Sequence, residues 1–156
     1  MSKIKTYAKI LWIGLVFMII AQCKESNMSG AKGETNHAIS WFELPAKDFS
    51  RAVKFYKTIL KAEIAEVDMG EIRMGMLPRN PGSVSGAIVK GGDYTPSGQG
   101  TLVYLNGGKD LSEILARVEG AGGKIIVTKT QISPEFGFFA LLIDTEGNRV
   151  GLHSMQ

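Results

Sequence analysis

The stretch ISWFELPAKDFSRAVKFYKTILKAEIAEV, residues 39–67, decides the fold because TLVYLNGGKDLSEILARVEGAGGKIIVTK, residues 101–129, repeats its grammar. Each begins with a strand-like run, passes through Lys-Asp into a helix-like run and returns to a strand. Superposing Lys47-Asp48 on Lys109-Asp110 takes an offset of 62. That offset lays Phe49 on Leu111, Ala52 on Ile114, Val53 on Leu115 and Tyr56 on Val118. The i, i+3, i+4, i+7 spacing is one apolar face of a helix. Asp48 and Asp110 stand where an N-cap side chain accepts from exposed backbone N–H groups, and Glu113 supplies a capping box in the second copy alone. Gly120, Gly122 and Gly123 stop the second helix.

Strand-like segments follow each helix: Glu63 to Val67, Glu71 to Leu77 and Ser85 to Lys90, then Lys124 to Lys129, Phe136 to Ile143 and Arg149 to Ser154. The turn Asp144-Thr145-Glu146-Gly147-Asn148 joins the last two, with Gly147 able to take positive φ. Each half therefore reads βαβββ. The connection GGDYTPSGQG is a Gly- and Pro-rich loop whose Tyr94 and Pro96 are placed to form a rim or lid. Two copies of this length imply half-domains that share one core, not a solenoid.

The chain has 156 residues, 44% of them hydrophobic, enough for one domain with a real core or two small modules packed together. Its net charge of +3 equals the contribution of Lys3, Lys5 and Lys9, so the remainder is balanced. A nucleic-acid partner, which needs a basic surface to displace counterions, is not expected. One cysteine and two histidines exclude an internal disulfide and a zinc cluster of the finger kind. No phosphate-binding glycine loop and no nucleophile elbow is present.

The paired modules, with FELPAKDFSRAVKFY in the first and GFFALLIDTEGNRVGLHS at the end, resemble the vicinal oxygen chelate superfamily of glyoxalase I, extradiol dioxygenases and bleomycin-resistance proteins. The likeness runs from His37 to Ser154. It implies an α+β fold in which two βαβββ modules form a single cup-shaped mixed-sheet domain, about 37–92 and 100–156 within 37–156. In that family a divalent metal sits in the cup, held by side chains of the first and last strand of each module. The resemblance carries these positions onto Trp41, Val103, Gly151 and, by the repeat offset, Val89. None has a lone pair suited to a transition metal, so neither a metal nor another cofactor is expected. His37 precedes the first strand and has no ligand partner at suitable spacing.

Strand alternation puts Glu43 on the face that carries Trp41, and Arg149, Gly151 and His153 on one face of the last strand. By the same count Val103 and Leu105 line the cup in the second module. Trp41, Glu43, Val103, Arg149 and His153 are therefore the candidate ligand-binding residues for a planar or partly apolar small molecule. Glu43, a carboxylate in an apolar setting, needs a partner, for which Arg149 and His153 are candidates. Glu43 and His153 are also the candidate acid–base residues if the chain is a lyase or isomerase. A metal enzyme with a differently placed site, and an envelope scaffold that binds other proteins, are the alternatives. A monomer or a homodimer fits the paired modules.

Ahead of the domain, the three lysines precede an apolar run from Ile10 to Ala21, then Gln22 and Cys23. The run is too short to cross a bilayer comfortably, for which ~20 helical residues are needed. Residues 1–22 instead read as a signal peptide. The position of Cys23 resembles the lipobox of bacterial lipoproteins, departing from it at Gln22 where Gly or Ala is usual. The resemblance implies lipidation of Cys23, a membrane partner through that lipid, and an extracytoplasmic location at the cell envelope. Secretion, or anchoring by an uncleaved N-terminal helix, is the alternative. Residues 23–36, polar and without periodicity, form a flexible tether.

Overall fold

Both aspartates placed before the helices cap them. The computed structural model describes residues 37–156, so the signal-like run, Cys23 and the tether lie outside the described residues. Asp48 precedes α1 (Phe49–Leu60), where its Oδ1 accepts from the backbone N–H of Arg51 at 3.1 Å. Asp110 precedes α2 (Leu111–Val118) and accepts from Ser112 at 2.8 Å. Glu113 does not return the reciprocal bond of a capping box; Lys129 Nζ lies 2.6 Å from Asp110 Oδ1 instead. The glycines after α2 end it: the Gly123 N–H reaches the Val118 carbonyl at 3.0 Å and Gly122 takes a left-handed φ of 96°.

The strands are β1 (Trp41–Pro45), β2 (Ala65–Asp68), β3 (Arg73–Met76), β4 (Ser85–Lys90), β5 (Tyr104–Asn106), β6 (Lys124–Ser133), β7 (Gly137–Ile143) and β8 (Arg149–Ser154). They form two four-stranded mixed sheets, ordered β1-β4-β3-β2 and β5-β8-β7-β6. In each sheet the first and last strand of the module run parallel, and the other pairs are antiparallel. The internal repeat of the sequence is thus a repeat of topology. Among the described residues no strand of one sheet pairs with a strand of the other, and no helix is long and apolar enough to cross a membrane.

Each sheet buries one face against the helices. The face carrying Leu44 and Ile88 and the face carrying Leu105, Ala140, Leu142, Val150 and Leu152 join the apolar faces of α1 and α2 in one core. Phe55 and Ile59 of α1 add to the four positions that the repeat superposes. The Phe55 ring meets Tyr56 edge to face, with centroids 5.0 Å apart. It also abuts Gly123, where a Cβ would lie 2.7 Å from Phe55 Cε2, so this helix of the first module reaches into the second only because that position has no side chain. Polar bonds join the modules as well. Arg117 donates from Nε and Nη2 to the Ile59 carbonyl at 2.9 and 2.6 Å, covering an acceptor that the end of α1 leaves open. Asn148 Nδ2 donates to the Pro45 carbonyl at 2.8 Å.

Candidate functional site

The opposite face of each sheet lies outside that core and carries the candidate side chains other than Val103. On β1, Trp41 and Glu43 share this face as alternation requires, and the indole Nε1–H donates to Glu43 Oε1 at 3.3 Å. The second carboxylate oxygen accepts from the hydroxyl of Tyr94 at 2.6 Å. Tyr94 belongs to the loop between modules, so that loop reaches across Glu43. The bond to Glu43, helped by burial and by the carboxylate charge, raises the Tyr94 phenol above its ordinary range. The partners of Glu43 are therefore an indole and a phenol, and the expectation of Arg149 or His153 is corrected. Arg149 is exposed, and its backbone N–H bonds the Ser97 carbonyl at 3.3 Å.

In the second module the strand register differs from the one counted on the sequence. Leu44 lies opposite Ile88 and Leu105 opposite Leu152, so the first strands superpose with an offset of 61 (105 − 44) and the last with 64 (152 − 88). The helices keep 62, because the second module spends one more residue between strand and helix, at Gly107-Gly108. One residue reverses the face of a strand. Val103 and Leu105 consequently pack with the core, and Tyr104 and Asn106 are presented in their place. The reassignment also moves the last-strand position of the first module from Val89 to Ala87, which lies opposite Glu43 as Gly151 lies opposite Tyr104.

Gly151 has a physical reason to lack a side chain. A Cβ there would collide with the Tyr104 ring, which lies against the strand at that point. Tyr104, the residue the sequence reading missed, then forms a wall with Ile132 and Phe139 around His153, in a pocket of about 380 Å³. An adjoining pocket of about 490 Å³ adds Asn106, Gly108 and Met155 around the same two rings. The His153 Nε2 lies 2.7 Å from the Phe136 carbonyl oxygen. Neither of these two pockets is lined by Glu43 or Trp41, so the pockets around His153 do not include the other candidate acid–base residue. Val103 lines a different, apolar groove of about 560 Å³ with Phe42, Leu60 and Leu77.

The donor set does not fit a divalent ion. Trp41, Ala87 and Gly151 offer no lone pair, Tyr104 offers a single phenol oxygen, and the Glu43 carboxylate opposite Ala87 already accepts from Trp41 and Tyr94; among the described residues no three His, Cys, Asp or Glu side chains are grouped. What the outward faces offer is aromatic surface, aliphatic surface and isolated polar ends, the makings of a small-molecule site.

Paired βαβββ modules with two mixed sheets around two helices define a glyoxalase-like α+β domain. The chain belongs to the Glyoxalase/Bleomycin resistance protein/Dioxygenase superfamily, whose model matches residues 38–152. Among solved structures it is similar to TnmS3, an antibiotic binding protein from a Streptomyces species, at 22% identity and a TM-score of 0.58, covering 78% of this chain and 98% of that one. A glyoxalase/bleomycin resistance protein/dioxygenase family enzyme from Burkholderia phytofirmans is similar at 14% identity and a TM-score of 0.55, over 75% of this chain and 98% of that one. A glyoxalase I mutant from Zea mays matches at 17% identity and a TM-score of 0.56, over 74% of this chain but 45% of that one. At these identities the likeness is one of fold. No curated protein sequence matches the chain.

Proposed function

We propose that this chain is a metal-independent binder of a small, planar, partly apolar molecule, held at the bacterial envelope by a lipid on Cys23. The observation that carries the reading is the filling of the family's ligand positions. Indole, methyl, phenol and bare backbone stand there, the Glu43 carboxylate beside them is taken up by Trp41 and Tyr94, and the Tyr104 ring lies on Gly151 beside an aromatic-walled pocket. A relative of the same fold described as an antibiotic binding protein supports a binding role. Proton-transfer chemistry has less support, because Glu43 is engaged by Trp41 and Tyr94 while His153 lines a pocket without it. The chain acts as a monomer or a homodimer, which sedimentation at assay concentration distinguishes.

The test is a thermal-shift and Trp fluorescence screen of planar aromatic compounds against the full chain in detergent, with and without a chelator. Ligands that raise the melting temperature equally in both conditions are expected. Stoichiometric nickel or zinc after metal-rich expression, or binding abolished by the chelator, overturns the metal-independent reading. For the anchor, Cys23→Ser is expected to move the protein out of the membrane fraction and to abolish a diacylglyceryl mass increment. An unmodified Cys23 in membrane-bound protein overturns it.

A further inference from the structure

The acceptor of the His153 ring bond is a peptide carbonyl, which has no proton to give. The 2.7 Å contact between His153 Nε2 and the Phe136 oxygen therefore requires the proton on Nε2. A neutral imidazole has one N–H, so Nδ1 is left as a bare lone pair. No described residue donates to it, although every buried side-chain nitrogen and oxygen of the described chain has a partner. Nδ1 is therefore open to solvent, and the His153 ring lines a pocket whose other walls are Tyr104, Ile132 and Phe139. A solvent-open acceptor beside two aromatic rings can serve recognition: a flat ligand covers the rings and a donor on its rim takes the place of solvent at the nitrogen.

We infer that the pocket between Tyr104 and Phe139 takes a planar aromatic molecule carrying a hydrogen-bond donor, an N–H or a phenolic O–H, which it gives to Nδ1 of His153. The inference rests on the binding role proposed above and narrows it to a ligand class. A ligand of the same shape without the donor buries Nδ1 unpaired and is rejected by about tenfold or more. The two groups that fix the tautomer and the wall, the Phe136 carbonyl and the Tyr104 ring, both lie in the second module.

Indole and 1-methylindole are a matched probe pair, since methylation removes the N–H and leaves the flat ring. The full chain in detergent, with ¹⁵N-labelled histidine, is titrated with each and followed by long-range ¹H–¹⁵N correlation. The free protein is expected to show the Nε2–H tautomer at His153. Indole is expected to shift Nδ1, and 1-methylindole to bind at least about tenfold more weakly. His153→Phe is expected to level the two affinities. An Nδ1–H tautomer, equal affinities, discrimination that survives in His153→Phe, or binding of neither probe overturns the inference. The tautomer and the Nδ1 shift are read on the unaltered protein, so a variant that misfolds does not block the test. If the indoles fail while other compounds in the screen bind, the donor inference falls and the binding role stands; if nothing binds, both fall.

Discussion

The hydroxyl of Tyr56, in the helix of the first module, donates to Oδ2 of Asp144, in the last turn of the second, at 2.7 Å and with both groups buried. Asp144 also accepts from the backbone N–H groups of Glu146 and Asn148 and from Asn148 Nδ2, all within 2.9 Å. Burial, reinforced by the Asp144 charge and the hydrogen bond, holds the Tyr56 phenol well above its ordinary range. The turn is thus a socket for a residue that the repeat identifies only as a core position. Tyr56→Phe removes one donor from a buried carboxylate and is expected to destabilise the domain by about 1–3 kcal/mol in urea unfolding. A midpoint and slope equal to the parent's would show that the bond joins modules that other contacts already hold.

Glu146 makes the neighbouring clamp. Its side chain has no exposed surface and accepts from the backbone N–H of Lys47 and Asp48 at 3.0 and 2.9 Å and from Arg51 Nε at 2.8 Å. Burial acts to raise its carboxyl, but Arg51 and the two N–H groups prevail and hold it below the usual glutamate range. A depressed carboxyl contributes stability above the unfolded-state value of 4.5, and this is lost as pH falls through the lower folded value. Glu146→Gln is expected to cost about 2 kcal/mol at neutral pH and progressively less as pH falls below 4.5. Paired urea melts across that window check the convergence, and a constant difference between the two proteins would refute it.

Asp110 gives a sharper pH reading at the other helix start. The hydrogen bond from Lys129, with those from Ser112, lowers its carboxyl from 3.8 to about 2. Its contribution is therefore complete above 3.8 and fades as pH falls toward the folded value. Carboxyl NMR titration is expected to find the midpoint near 2, and Lys129→Met to bring it back toward 3.8. An unchanged midpoint in the variant would remove Lys129 as the main cause.

Tyr94 holds the loop between modules over Glu43 through a single hydroxyl. Tyr94→Phe is expected to change Trp41 fluorescence, since the indole shares the same carboxylate, and to remove one tyrosine that ionises above 10.0 from the alkaline absorbance titration. An emission spectrum that does not respond would separate the loop from the Trp41 side of the site.

Gly151→Ala tests the wall of the His153 pocket. The new methyl group must push the Tyr104 ring aside, and because Tyr104 is 48% exposed the ring has solvent to move into. Folding should survive, while the affinity for indole falls by about two- to tenfold as one aromatic face is lost. Undiminished binding would place the probe away from Tyr104.

Much of the frame was legible from the chain alone because helix faces and caps are local. Asp48 and Asp110 cap, the paired i, i+3, i+4, i+7 positions are buried, and β4 and β8 span the residues that patterning assigned. The last turn was legible as a turn, but nothing in its composition said that Asp144 and Glu146 would be occupied by Tyr56 and Arg51, 88 and 95 residues away. The site was less legible. A single offset cannot serve helix and strand when one glycine is inserted between them, and that residue exchanged Val103 for Tyr104 on the outward face.

The sequence by itself determined the two-module plan and the helix faces that meet in one core. These depend on residue type and on spacing within a helix or strand, where geometry repeats every few residues. Tertiary structure alone decided which groups meet: Tyr94 on Glu43, Tyr104 on Gly151, and the His153 ring on a carbonyl that sets its proton. Such pairings depend on strand register and loop length, and a one-residue change in either turns a side chain from the core to the site.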